Sequence, residues 1–158
     1  MRRTQPATLC YLTRGNKTLM LHRVTKKGDV HKGKWNGLGG KSIPGESPEQ
    51  CVVREVREES GLRIKNPRLR GVLTFPAFTP NTDWLVYVYT AHQFSGKLGS
   101  TDEGHLEWIP NNKIRSLPLW AGDKLFLTWL KGKQFFNARF DYVNKKLTGT
   151  KSLFMSPR

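Results

Sequence analysis

Five carboxylates within 23 residues constrain this chain more than any other feature. Gly40 to Leu62 reads GKSIPGESPEQCVVREVREESGL and carries Glu46, Glu49, Glu55, Glu58 and Glu59, five of the 12 acids in 158 residues. Glu55, Glu58 and Glu59 stand at i, i+3 and i+4, which places them on one side of a helix. Like charges packed this way repel, and a bound divalent cation compensates them. Hard oxygen ligands suit magnesium, with manganese as its substitute. Val52, Val53 and Val56 fall on a different face at about 100° of rotation per residue. One side of the helix is expected to pack on a core while the other holds the cation. Ser47 suits the N-cap, Pro48 the first helical position and Gly61 the C′ position. Gly39, Gly40 and Gly45 let a tight loop pass close to the helix. Arg54 lies one turn before Glu58 and within reach of Glu46, where its guanidinium fork can fix a carboxylate.

The remaining sequence reads as one domain over residues 1–158, an α+β fold with a mixed sheet between helices. Ala7 to Thr13 and Thr18 to Val24 read as a hairpin turning at Arg14 to Lys17. A polar loop from Thr25 to Lys34 carries Lys26, Lys27, Lys32 and Lys34. Beyond the acidic helix, Arg63 to Arg70 reads as a basic connection. Gly71 to Phe78 and Trp84 to His92 read as strands around a turn at Pro80 to Asp83. His105 to Ile109 is a short strand and Lys113 to Ser116 a helical turn. Asp123 to Leu130 is a second helix, with Leu125, Phe126, Trp129 and Leu130 on one face. Gln134 to Val143 and Lys146 to Phe154 close the chain as a hairpin through Asn144-Lys145.

Charge narrows the partners. There are 27 lysines and arginines against 12 acids, a formal net charge of +15. Outside Gly40 to Leu62 the balance is 24 bases to seven acids. A basic scaffold with its acids gathered in one place attracts anions, from triphosphates to nucleic acid. No basic helix or RNA-binding signature stands out, so a nucleic-acid partner is allowed but not required. No apolar run approaches a membrane span, and no apolar stretch follows Met1-Arg2-Arg3, which argues for a cytoplasmic chain without a membrane partner. Cys10 and Cys51 have no metal-ligand spacing and read as reduced thiols, although one disulfide remains open. His22, His31, His92 and His105 form no zinc motif and read as surface or strand residues.

The residues Gly40, Glu46, Arg54, Glu55, Val56, Glu58, Glu59, Gly61 and Leu62 match the Nudix box without a gap. The chain therefore resembles the Nudix hydrolase family, whose fold is an αβα sandwich with a mixed sheet between helices. Trp35 to Lys41 (WNGLGGK), Leu119 to Leu130 (LWAGDKLFLTWL) and Phe135 to Phe140 (FFNARF) resemble the MutT- and MutX-type 8-oxo-dGTP diphosphatases of that family. The resemblance implies magnesium-dependent hydrolysis of oxidised purine nucleoside triphosphates, 8-oxo-dGTP to 8-oxo-dGMP and pyrophosphate, which sanitises the nucleotide pool and supports DNA repair. The chain is expected to be a monomer.

Site residues follow from the same resemblance. Glu55, Glu58, Glu59 and the Gly39 carbonyl would hold the metal, joined by Glu103 from a loop after the sheet. Arg54 would position the carboxylates, and Glu55 would take a proton from the attacking water. Arg23, Gly39, Gly40 and Lys41 would face the substrate. Asn36 would bind the base, Trp120 would stack on it and Asp123 would read its edge. Asp123 also suits an N-cap or first-turn role at the start of its helix. Relatives with two adjacent acids after the Trp have the first of them where this chain has Gly122. Alternatives are a Nudix hydrolase of ADP-ribose or a dinucleoside polyphosphate, one of RNA 5′ triphosphate ends, and a non-catalytic nucleotide-binding module. The intact set of acids speaks against the last.

Overall fold

The structure, a computed structural model, describes residues 1–156; the last two positions of the expected domain lie outside them. Its ten strands are β1 (Arg3–Arg14), β2 (Lys17–His22), β3 (Trp35–Asn36), β4 (Arg63–Lys65), β5 (Arg68–Thr79), β6 (Thr82–Ala91), β7 (Gln93–Ser95), β8 (His105–Pro110), β9 (Phe135–Val143) and β10 (Lys146–Met155). The α-helices are α1 (Pro48–Ser60) and α2 (Ala121–Trp129), with a 3₁₀ turn at Asn111–Ser116. Eight strands form one mixed sheet in the order β10-β9-β5-β6-β1-β2-β3, with β8 also paired to β2. β1 runs parallel to β6 from Arg3↔Thr82 to Leu12↔Ala91, whereas β5 and β6 are antiparallel. β4 and β7 form a separate two-stranded ribbon.

The central strands bury both faces. On β1, Tyr11 enters the core that holds Phe126 of α2, while Cys10 and Leu12 enter the core that holds Val52 and Val56 of α1. The sheet thus lies between two layers, and the α+β sandwich expected from the sequence is what the chain adopts. Full burial of a valine contributes about 1.5–3 kcal/mol, so Val52 and Val56 fix α1 firmly on the sheet. Ser47 Oγ accepts from Gln50 N at 3.2 Å and Gln50 Oε1 accepts from Ser47 N at 3.0 Å, a reciprocal cap. Gly61 ends the helix in the left-handed region at φ 80°.

Several sequence expectations need correction. Arg63 to Arg70 is no plain connection: Ile64 is buried under α1, and β4 and β5 are built from this stretch. α2 begins at Ala121, two residues before the expected start, with Trp120 at the N-cap, so of the two helix-start roles open to Asp123 it takes the first-turn one. The acids on that side of α1 differ in exposure, which their spacing alone does not show. Glu58 keeps 60 % of its side chain exposed and Glu55 17 %, while Glu59 as a residue is 6 % exposed. The reason is the helical period: Glu58 and Glu59 are 100° apart, and Glu59 turns toward the sheet with Val52 and Val56. Both cysteines are free and buried.

Candidate active site

The segment Trp35 to Lys41 forms a strap between β1 and α1. Leu38 and Cys10 exchange both backbone hydrogen bonds, at 2.5 and 2.9 Å, and Thr8 N donates to the Gly40 carbonyl at 2.9 Å. A Cβ on Gly39 would lie 1.9 Å from the Thr8 carbonyl oxygen, and one on Gly40 would lie 2.5 Å from the Glu55 carboxyl carbon. Only glycine lets the strap pass this close. The Gly39 N–H then donates to Glu59 Oε1 at 2.7 Å, tying strap to helix.

Arg54 organises the acids around it. Its Nε and Nη2 donate to the two oxygens of Glu46 at 2.6 and 2.9 Å, and Nη1 donates to Glu55 at 2.8 Å and Glu58 at 3.2 Å. Nη2 also donates to the Lys41 carbonyl at 3.1 Å. The guanidinium holds Glu46 down to about 2, well below the ordinary carboxylate range. Burial pushes Glu55 up, against the pull of Arg54. Burial also pushes Glu59 well up, and the facing carboxyl of Glu103 adds to it. Arg23 Nη1 stands 3.9 Å from Glu103, and its Nε is bound to Asp29 Oδ2 at 2.9 Å.

Among the described residues no three His, Cys, Asp or Glu side chains close into a ready-made metal cage, because Arg54 draws Glu55 and Glu58 to itself. The donor set nevertheless suits magnesium. Glu59 and Glu103 face each other, Glu59 is nearly buried with only a backbone N–H as donor, and all the oxygens are hard. Glu55, Glu59, Glu103 and the Gly39 carbonyl could hold the ion, with Glu58 at the solvent edge.

A cleft of about 660 Å³ runs from these acids across the sheet. Arg23, Asn36, Gly39, Gly40, Lys41, Glu55, Glu103, Trp120 and Asp123 all line it. Arg54, Glu58 and Glu59 do not; Arg54 and Glu58 lie on an open depression along the outer side of α1. Asn36 is 8 % exposed and anchored by the β3 pairing to Leu21. Lys41 places its Nζ 5.6 Å from the Trp84 ring centre. Asp123 is buried, and desolvation pushes its carboxyl up to about 7, with Lys34 pulling the other way.

Trp120 is a wall of this cleft rather than an open platform, at 5 % exposure. Phe78 and Tyr142 meet it edge-on at 5.1 and 5.4 Å, and Lys34 Nζ lies 5.3 Å from its ring centre. Phe78 reaches the cleft because β5 bulges between Phe75 and Thr79. There Ala77 takes a left-handed φ of 47°, and its N–H donates to Asp83 Oδ1 at 2.8 Å. His31 is the other unforeseen member: it is neither on a strand nor free on the surface, and its Nδ1 accepts the Trp120 indole N–H at 2.9 Å. Burial and Arg23 hold its imidazole down to about 4. Tyr142 continues the alternation of Phe136, Ala138 and Phe140 along β9, but no periodic signal marks Phe78 or His31; the local cue for Phe78 was Pro76, a residue disfavoured inside a regular strand.

The pattern that defines the NUDIX domain matches residues 3–130 of this chain. The "Uncharacterized Nudix hydrolase YvcI" of Bacillus subtilis is 33 % identical over 144 residues, covering 88 % of this chain and 87 % of its own length. The "Oxidized purine nucleoside triphosphate hydrolase" of Danio rerio is 34 % identical over 118 residues, covering 74 % of this chain and 75 % of its own. The crystal structure of a MutT protein from Bacillus halodurans superposes with a TM-score of 0.84 at 28 % identity, covering 94 % of this chain and 97 % of that one.

Proposed function

This chain belongs to the Nudix family and is a pyrophosphohydrolase of nucleotide substrates, and from that premise we propose that it hydrolyses oxidised purine nucleoside triphosphates, 8-oxo-dGTP to 8-oxo-dGMP and pyrophosphate. It does so as one Nudix domain. The observation that carries this reading is the cleft that joins Glu55 of α1 and Glu103 to an aromatic wall holding a buried carboxylate. Magnesium, when bound, supplies positive charge that polarises the phosphate chain and its attacking water.

The residues divide the work by position. Glu55, Glu59, Glu103 and the Gly39 carbonyl would hold the ion, with Glu58 at its solvent edge. Arg54 fixes the directions of Glu55 and Glu58 through charge-assisted bonds. Glu55 lines the cleft against Gly40 and takes the water's proton. Arg23 and Lys41 meet phosphate oxygens, while Gly39 and Gly40 let the phosphates approach the strap. Asn36 and Asp123 read the base edge and Trp120 supports its plane; Lys34 is a flexible side chain that can swing off the ring. Oxidation at C8 turns N7 of guanine from acceptor to donor, and the buried Asp123 is suited to accept from it.

A magnesium-supplemented panel of 8-oxo-dGTP, dGTP, ADP-ribose, a dinucleoside polyphosphate and triphosphorylated RNA tests the reading. The highest kcat/KM is expected for 8-oxo-dGTP. A clear lead for another member moves the substrate there, and no turnover of any leaves the chain a binding module.

A further inference from the structure

The loop between β2 and β3 is tied at both ends of the cleft. Near the acids, Arg23 Nε donates to Asp29 Oδ2 at 2.9 Å, and that aspartate's other oxygen accepts the His31 backbone N–H at 3.0 Å. At the aromatic wall, His31 Nδ1 accepts the Trp120 indole N–H at 2.9 Å, while its ring lies over Phe78 at 5.9 Å and 19°. The chain Arg23, Asp29, His31, Trp120 thus spans the cleft. Asp29 keeps only 6 % of its side chain exposed and Arg23 17 %, so these are shielded bonds rather than surface ones. Trp120 has a single N–H donor, and His31 is the acceptor that receives it.

We propose that His31 is a positioning residue for base recognition: it locks the Trp120 ring and couples that ring to the phosphate-facing Arg23. The proposal rests on the reading of this cleft as the nucleotide site, not on which nucleotide fills it. A tryptophan whose N–H is satisfied by protein keeps its orientation when the cleft is empty, so no ordering is needed on binding. Without the acceptor the indole must find another partner or rotate, and the wall is no longer preformed. The low basicity of His31, set by burial first and by Arg23 second against Asp29 and Glu103, keeps Nδ1 free to accept across the neutral range.

The acceptor can be removed and restored. His31→Phe keeps an aromatic ring over Phe78 but has no acceptor. His31→Asn places its amide oxygen near where Nδ1 stands and restores one. His31→Leu has no acceptor and serves as the second acceptor-free variant if His31→Phe does not fold. The Trp120 indole N–H resonance, assigned by its loss in Trp120→Phe, is read in each by proton–nitrogen NMR without nucleotide. It is expected to move and to exchange faster with solvent in His31→Phe, and to return toward wild type in His31→Asn. With whichever nucleotide the wild type turns over best, His31→Phe should raise KM roughly tenfold, the scale of one lost hydrogen bond. Its kcat should stay within about threefold, and His31→Asn should recover most of the KM. An unmoved indole resonance in a folded acceptor-free variant overturns the proposal. So does a resonance that moves while KM stays at the wild-type value. A different best substrate revises the substrate alone.

Discussion

Glu58 and Glu59 are neighbours in sequence and strangers in the fold. The first is exposed at the edge of Arg54; the second is buried against the strap and faces Glu103. Both Glu58→Gln and Glu59→Gln should lower kcat with magnesium by about 10²-fold or more, measured at saturating nucleotide. Without metal the two diverge. Glu59→Gln removes the cost of burying or protonating a carboxyl and should raise the melting temperature, whereas Glu58→Gln should shift stability by no more than about 0.5 kcal/mol. Near-wild-type turnover of either variant contradicts the assignment. His31 makes a second residue-level prediction. Its imidazole is held down to about 4 from an ordinary value near 6.5, so the unfolded chain binds the proton first. Its contribution is therefore complete above about pH 6.5 and is lost as pH falls toward about 4, by at most about 3 kcal/mol. Denaturant titrations across that range should show the wild type losing more stability than His31→Asn as pH falls.

At the scale of elements, α1 and the strap act as one unit through Arg54, which touches Glu46, Glu55, Glu58 and the Lys41 carbonyl. Arg54→Ala should cost about 10- to 100-fold in kcat through lost carboxylate orientation, with circular dichroism unchanged. The first turn of α2 carries the other test. Asp123 is pushed up to about 7, so its stabilising effect is fully present below about pH 4 and is lost as pH rises through about 7. Asp123→Asn should be more stable than wild type at neutral pH, and should shrink the preference for 8-oxo-dGTP over dGTP. A helix cap would give neither result, and the structure already places Trp120 at the cap. Much of this was legible in advance. The caps of α1, the spacing of its acids, and the order of the long strands all follow from local chemistry. What was hidden depends on contacts between distant segments. The bulge that aims Phe78 is set by Asp83 across a strand pair, and His31 gains its role from a tryptophan 89 positions away. The burial of Glu59 was hidden because sequence shows a helix's period but not which part of it the sheet covers.

Across the whole molecule a net charge of +15 surrounds a cleft lined by Glu55 and Glu103 at one end and by Asp123 at the aromatic wall. Of the lysines in the loop before the strap, Lys26 lines the cleft and Lys34 lies over Trp120, while Lys27 and Lys32 are exposed. Replacing all four with glutamine should raise KM for a triphosphate at low salt more than it lowers kcat. The difference from wild type should fade as ionic strength rises, since exposed charges are screened over about 10 Å at 0.1 M. No helix among the described residues is long and apolar enough to cross a membrane. The central claim is that this cleft selects an oxidised purine triphosphate through a buried hydrogen bond. A mismatched partner in such a site costs about 1–3 kcal/mol, which is roughly ten- to hundredfold in specificity. The most direct measurement is kcat/KM for 8-oxo-dGTP and for dGTP, with magnesium, on the same wild-type preparation. The account predicts a ratio of roughly ten to a hundred in favour of the oxidised nucleotide; a ratio near one contradicts it and leaves a general nucleotide hydrolase.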